Sequence, residues 1–236
     1  MAARGRRDTN RTRLAVADPP AAVAGPEEAF ERPAHGNQRI TRDEILDVAV
    51  QMFSHRGYRA TNLGDVANEL DVTRQALYYY FERKEDILVA LFNHVFDELE
   101  RAVDAVDPKG KRPGELFNEM LCAHLQVVSK YPAHVRLVMH EQGSLPSETR
   151  HAMATRRWAH QTRFMAVYEK AVRVGDCVDV GSDFAVSVLL SAANASYQWL
   201  GRVGVTDGNA FARETQQFLA EGYLVRSRRP TRAKRR

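Results

Sequence analysis

Several features that would place the sequence in a common protein class are missing. The chain has two cysteines, Cys122 and Cys177, and no CxxC pair, which argues against a structural zinc site and fits a reducing compartment. No stretch approaches the roughly 18 apolar residues of a transmembrane helix. No apolar stretch follows the N-terminal arginines, so we expect no signal peptide, no membrane partner and a cytoplasmic location.

Strand patterns and catalytic motifs are missing as well. No segment alternates apolar and polar residues as a half-buried strand does, and no repeat occurs, so the predicted class is all-α. There is no Ser/His/Asp order, glycine-rich phosphate loop or close carboxylate pair, so we predict neither an enzyme nor a cofactor. His124, His134, His140 and Glu141 are loosely spaced on different predicted helices, and we expect no metal site there.

The net charge of +4 is concentrated at the two ends. Residues 1–39 carry seven basic and five acidic side chains, and residues 226–236 carry seven basic side chains and no acidic one. Residues 1–38 are rich in proline, alanine and charge without apolar periodicity, which predicts a disordered arm, and residues 226–236 form a basic disordered tail. Such ends either add salt-dependent affinity for a polyanion or only favour solubility.

Apolar residues at helical spacing begin at residue 40. Thr41 and Glu44 match a capping box, and the first helix that they open is expected to end at Gly57 in a left-handed cap. Asn62 is the start signal of a short second helix, and Thr73 that of a third, beyond a tight turn. Two short helices joined by a tight turn and braced by a longer one form a helix-turn-helix.

The third helix has two chemically different faces. One face can be core, and it carries Leu77, Tyr80 and Phe81. The other face suits phosphates and base edges, and it carries Arg74, Gln75, Tyr78 and Tyr79. Packing of the tyrosines against a neighbouring helix is the alternative. Residues 40–84 hold six basic and seven acidic side chains, so bulk charge does not favour DNA binding.

Helical patterns continue to the end of the chain. A fourth helix is predicted over residues 84–106, an eighth over residues 183–200 and a ninth over residues 208–225. The ninth is expected to expose Phe211, Phe218 and Tyr223, which suits a four-helix bundle across a two-fold axis.

The segments from Gly57 to Ala67 and from Val72 to Leu88 resemble the N-terminal domain of the tetracycline-repressor (TetR) family. The resemblance implies a DNA-binding domain over residues 39–86 and a helical ligand-binding and dimerisation domain over residues 87–225. The implied DNA contacts are Asn62, Thr73, Arg74, Gln75, Tyr78, Tyr79 and Lys84. Two positions depart from the family pattern: Tyr80 stands where many members have histidine, and Gly64 stands where some carry a basic DNA contact.

The function that the resemblance implies is a ligand-responsive regulator: a homodimeric repressor of a palindromic double-stranded DNA operator. A small-molecule effector, an acyl-CoA or another hydrophobic compound, would release it. The alternatives are a helical protein-interaction adaptor that does not bind DNA, and an enzyme without a known motif.

The effector site is predicted from side chains of the seventh and eighth helices. Ser187, Ser191, Asn194 and Gln198 form a polar stripe on an otherwise apolar helix. If buried, the stripe would face a ligand, a water, the core of the protein or the mirrored helix of the dimer partner. The predicted ligand-binding residues are Trp158, Tyr168, Asn194 and Gln198. Arg156, Arg157 and Arg163 would either meet the phosphates of an acyl-CoA or lie on a solvated face.

Overall fold

The computed structural model describes residues 40–200 and 207–224. The predicted arm (1–38) and basic tail (226–236) lie outside the described residues. The helices are α1 (Arg42–Arg56), α2 (Leu63–Glu69), α3 (Arg74–Tyr80), α4 (Lys84–Asp104), α5 (Pro113–Lys130), α6 (Pro132–His140), α7 (Ser147–Arg173), α8 (Ser182–Ala195) and α9 (Gly208–Tyr223). Within the described residues the class is all-α, as predicted, and no helix among them is long and apolar enough to cross a bilayer.

The caps of the first three helices form as the sequence predicts. Thr41 Oγ1 accepts from the N–H of Glu44 at 3.2 Å, and a Glu44 carboxylate oxygen accepts from the N–H of Thr41 at 2.8 Å. Thr73 Oγ1 accepts from the N–H of Ala76 at 3.1 Å. The turn between α2 and α3 places Asp71 at a φ of 53°, a left-handed conformation that aspartate tolerates better than most residues.

Several helix ends differ from the prediction. α4 ends at Asp104, two residues before the predicted end, and α9 ends at Tyr223, also two residues early. Gly57 has the positive φ expected of a cap, but its φ of 90° and ψ of 143° lie outside the left-handed helical region. The predicted eighth helix was too long: α8 stops at Ala195 and a 3₁₀ turn follows over Ser196–Gln198. The spacing of apolar residues continues from the α-helix into the 3₁₀ turn, so periodicity alone does not show where α8 ends.

α4 leaves the three-helix head and enters the rest of the protein. It has 21 residues, which makes it about 30 Å long. Its first half contributes Ile87, Leu88 and Leu91 to the core of the head, and its last apolar residue, Val103, belongs to a second core with α5, α7, α8 and α9. The helix is therefore a rigid connection between two cores.

α6 is a second connection between the head and the body. Leu137 and Val138 of α6 are buried in the head core, and a guanidinium nitrogen of Arg136 donates to the carbonyl oxygen of Ser54 at 3.3 Å. Val135, on the same helix, packs in a third cluster with Val95 and Val128. A displacement of α6 would therefore change its contacts with α1.

Candidate functional site

α3 has the two faces that the sequence predicts. Ala76 and Leu77 are each 1% exposed and hold the helix on the head core, and Phe81 is buried just beyond it. Tyr78 and Tyr79 are 49% and 45% exposed, which is unusual for two adjacent aromatic side chains. The exposed face consists of Thr73, Arg74, Gln75, Tyr78 and Tyr79.

Arg74 lies against the start of α2. A Cβ atom on Gly64 would come within 2.9 Å of Nε of Arg74 and 3.0 Å of Oδ1 of Asn62. Because residue 64 is a glycine, the guanidinium of Arg74 has room to lie beside Asn62. Asn62 itself is occupied as the N-cap of α2, because its Oδ1 accepts from the N–H of Asp65 at 3.1 Å.

An open groove of about 430 Å³ runs beside α3. Its cationic side chains come from the α1–α2 connection, from α3 and from the start of α4: Arg59, Arg74, Arg83 and Lys84. Glu82 and Glu85 line the same groove, so its charge is mixed. Anions would be bound at particular side chains and not by a broad positive field.

Lys84 has a structural role that sequence patterns did not indicate. Its ammonium lies 4.5 Å from the centre of the Tyr58 ring. It also donates to three carbonyl oxygens of the α1–α2 connection, those of Tyr58 (2.8 Å), Thr61 (3.1 Å) and Arg59 (3.4 Å). These contacts fasten the connection to the start of α4. The assignment of Lys84 as a DNA contact stays a prediction, and such a contact would have to compete with these carbonyls.

A cavity of about 190 Å³ lies between α4, α5, α6, α7 and α8. Most of its wall is apolar, with Val95, Phe96, Leu99, Val128, Val135, Val138, Met139 and Leu190. The remaining side chains are polar and come from three helices: His124, Arg157, His160, Gln161, Ser187, Ser191 and Asn194. A wall of this composition suits a small, mainly apolar molecule with few polar groups.

Of the four predicted ligand-binding residues, the structure places only Asn194 at this cavity. Trp158 is 54% exposed, and Gln198 lies on the surface beside the hydroxyl of Tyr197. Tyr168 is fully buried in the body core, where its hydroxyl donates to the carbonyl of Val178 at 2.9 Å. The predicted polar stripe contributes Ser187, which accepts from Gln161 Nε2 at 2.8 Å, and also Ser191.

Two histidines that were not predicted as ligand residues line the cavity. Nδ1 of His124 lies 3.2 Å from Nε2 of His160, and Nε2 of His124 lies 3.0 Å from Oδ1 of Asn194. Burial lowers the pKa of His124 to about 4 and that of His160 to about 3, where the charges of Arg163 and Arg156 add to the effect. Both rings are therefore neutral at pH 7. The detectable sequence signal was His124 among the apolar residues Leu121, Leu125 and Val128 of α5.

The arginines of α7 have separate roles. Arg156 is bound to Glu100 and Asp97 of α4, and Arg163 to Asp104. Arg157 lines the cavity and donates to Oε1 of Gln142 at 2.8 Å. Burial lowers the pKa of Arg157. Within the described ranges, no group of three or more His, Cys, Asp or Glu side chains could hold a metal ion.

The outer surface of α8 and α9 is apolar in places. Phe184 and Val188 of α8 are 65% and 50% exposed, and Phe218 of α9 is 80% exposed. The expectation that α9 would expose three aromatic residues was wrong for two of them. Phe211 and Tyr223 are 4% and 3% exposed. Tyr223 faces α5, where its hydroxyl donates to Oδ1 of Asn118 at 2.8 Å.

Comparisons with known proteins agree with this architecture. Residues 45–91 match the family of bacterial regulatory proteins called tetR, and residues 110–223 match the tetracyclin repressor-like C-terminal domain. The chain is 30% identical over 116 residues to the transcriptional repressor KstR2 of Mycobacterium tuberculosis, which covers 49% of this chain and 58% of that protein.

Two further proteins are similar to the chain. It is 26% identical over 102 residues to the transcriptional regulator YuxN of Bacillus subtilis, covering 43% of this chain and 35% of that protein. The chain therefore spans about a third of the length of YuxN and somewhat over half of the length of KstR2. The structure of a TetR/AcrR-family regulator from Thermobifida fusca superposes with a TM-score of 0.60 at 29% identity, over 77% of this chain and 97% of that one.

Proposed function

The chain belongs to the tetR family of bacterial regulatory proteins, and from this premise we propose that it is a ligand-responsive transcriptional repressor. Regulators of this family bind operator DNA and small-molecule effectors, typically as dimers, and they are not enzymes. The observation that carries the proposal is the exposed face of α3, with Arg74, Gln75 and Tyr78 beside one another on a helix whose opposite face is buried. The proposed location is the cytoplasm, where operator DNA is accessible.

The regions around the two hydrophobic cores are proposed to have different functions. Residues 39–86 bind DNA, with α3 in the major groove, so that Arg74 and Gln75 approach base edges and Tyr78 and Tyr79 approach phosphates. Residues 87–225 bind the effector and form the dimer. The apolar side chains Phe184, Val188 and Phe218 support a dimer through α8 and α9, since a two-fold axis would bury the same surface on both subunits.

The proposed release of DNA depends on two helices that reach the cavity and the head. α4 contributes Val95, Phe96 and Leu99 to the cavity wall, and α6 contributes Val135 and Val138. Val138 also packs in the head core. An effector that fits better when these helices are displaced would favour head positions that do not match the operator, by its difference in affinity for the two states.

The effector is proposed to be small and mainly apolar. Of the arginines considered for the phosphates of an acyl-CoA, Arg156 and Arg163 are bound to carboxylates of α4. The cavity of about 190 Å³ could take the acyl portion of such a compound while its nucleotide stayed outside.

Selection from random duplexes tests the proposed function. The full-length chain should enrich a palindromic sequence, and affinity for it should fall steeply with salt, because each phosphate neutralised by the protein releases a counterion. Enrichment of no sequence, together with affinity for DNA that does not change with salt, would favour the adaptor that does not bind DNA.

A further inference from the structure

A chain of three hydrogen-bonding groups crosses the polar wall of the cavity. It runs from Asn194 on α8 through His124 on α5 to His160 on α7, with separations of 3.0 Å and 3.2 Å. His124 and His160 are 2% and 4% exposed. The ring of His160 also packs against Phe164, at 5.2 Å between centroids, and Phe96, at 6.1 Å. Unpaired polar atoms are costly in such surroundings.

The protons of the chain can be placed in order. A carbonyl oxygen of an amide is an acceptor only, so Oδ1 of Asn194 requires a hydrogen on Nε2 of His124. A neutral imidazole carries one hydrogen, so Nδ1 of His124 is an acceptor and Nε2 of His160 donates to it. Nδ1 of His160 is then left as a bare acceptor. It is buried and has no hydrogen-bond partner among the described residues.

We propose that the cavity binds a small apolar alcohol or phenol, whose hydroxyl donates a hydrogen bond to Nδ1 of His160. This inference rests on the proposed function and deepens it, because it assigns the chemical class of the effector. Nδ1 of His160 is closed to a water molecule in this structure, so the hydroxyl reaches it only when the cavity wall moves apart on binding, as the proposed displacement of α4 and α6 would allow. The hydroxyl then satisfies an acceptor that is otherwise unpaired, while the rest of the molecule contacts the apolar wall. The aromatic ring of Phe96 in that wall favours a ring-shaped ligand.

The size and charge of the cavity support this class. An engineered cavity of about 150 Å³ holds benzene, so about 190 Å³ accommodates one substituted ring. A carboxylate at the same place would need a hydrogen on Nδ1 of His160, which its neutral state does not supply. The cavity wall also contains a cation, Arg157, but this side chain is half-buried and already donates to Gln142. His160, by contrast, is buried.

Three probes that differ in one group test the proposal: 4-methylphenol, 4-methylanisole and 4-methylbenzoate. Their dissociation constants for the full-length protein without DNA can be measured by NMR titration. We expect 4-methylphenol to bind about tenfold more tightly than either of the others, the factor that one hydrogen bond to a buried acceptor contributes. Equal binding, preference for the ether or the acid, or binding of none of the three would overturn the proposal.

Two variants identify the group that is responsible. His160→Phe keeps a ring but removes the acceptor, so the tenfold preference for the phenol should disappear while 4-methylanisole still binds. His151→Phe, on the exposed surface of the same helix, should keep the preference. Retained preference in His160→Phe would overturn the assignment. Failure of the proposed function would appear separately, as a lack of selective binding to any duplex, and would leave the preference for the phenol unchanged.

Discussion

The hydroxyl of Tyr80 donates a hydrogen bond to the backbone carbonyl of Ile40 at 2.7 Å. This contact ties the last residue of α3 to the segment that precedes α1, and it leaves Tyr80 half-buried. The ring of Tyr79 packs edge-on against that of Tyr80, at 5.3 Å between centroids. Three consecutive tyrosines therefore differ in role: Tyr80 braces the head, whereas Tyr78 and Tyr79 are presented on its surface.

Tyr78→Phe and Tyr80→Phe should separate these roles. Loss of the Tyr78 hydroxyl should weaken operator affinity about tenfold at unchanged stability, because a hydrogen bond to a charged phosphate is worth about 1.5–3 kcal/mol. Loss of the Tyr80 hydroxyl should lower the free energy of unfolding by about 1 kcal/mol. Fluorescence anisotropy and urea denaturation measure the two effects, and equal losses of DNA affinity in both variants would contradict the assignment.

Lys84→Met should destabilise the protein by about 1–2 kcal/mol, because it removes the ammonium that binds the carbonyls of Tyr58 and Thr61. Lys109→Met, at an exposed loop position, serves as the control and should leave stability unchanged. Urea denaturation of both variants provides the comparison. Unchanged stability in Lys84→Met, with a salt dependence of DNA binding reduced by about one phosphate, would show instead that Lys84 contacts DNA.

Acidification from pH 7.5 to pH 5 should destabilise the protein by about 4 kcal/mol through His124 and His160, about 2 kcal/mol from each. Burial lowers their folded pKa values to about 4 and about 3, whereas unfolded histidine titrates near 6.5. Below about pH 6.5 the unfolded state therefore binds more protons, and stability falls as pH falls. The free energy of unfolding can be measured by urea denaturation at each pH in this range. Its dependence on pH should be about half as steep in His160→Phe as in the unaltered protein. An unchanged dependence on pH would indicate that other groups are responsible.

Phe218→Glu should convert the proposed dimer into monomers. Phe218 is 80% exposed on α9, and a charge there would be buried without a partner in an interface formed by α8 and α9. Phe218→Leu keeps an apolar side chain and should remain dimeric. Sedimentation equilibrium distinguishes the two states, and a dimeric Phe218→Glu protein would place the interface elsewhere.

The head could be predicted from local sequence rules. Thr41, Asn62 and Thr73 are N-caps whose hydrogen-bond partners lie three residues away. The residues that start each helix can therefore be recognised from the adjacent sequence. The faces of α3 follow from helical periodicity in the same way. Lys84 could not be assigned from such rules, because the carbonyls that it binds lie 23 to 26 residues earlier in the chain.

The cavity was much harder to predict, because its wall comes from five helices. Trp158 and Tyr168 were reasonable candidates by residue type, yet they lie on different faces of α7. Trp158 faces solvent, and Tyr168 is buried in the body core. His124 and His160 are 36 residues apart and meet only across α5 and α7. A histidine on an apolar helical face was the available signal, and it does not reveal which other residue it meets.

The measurement that most directly tests the role of α3 is the affinity of Arg74→Ala for the operator selected by the unaltered protein. We predict at least a tenfold loss of affinity, together with relaxed preference at one base pair in each half-site, because a side chain that contacts a base edge discriminates by about 1–3 kcal/mol. Selection of the same sequence with the same affinity by both proteins would contradict the claim that the exposed face of α3 recognises DNA.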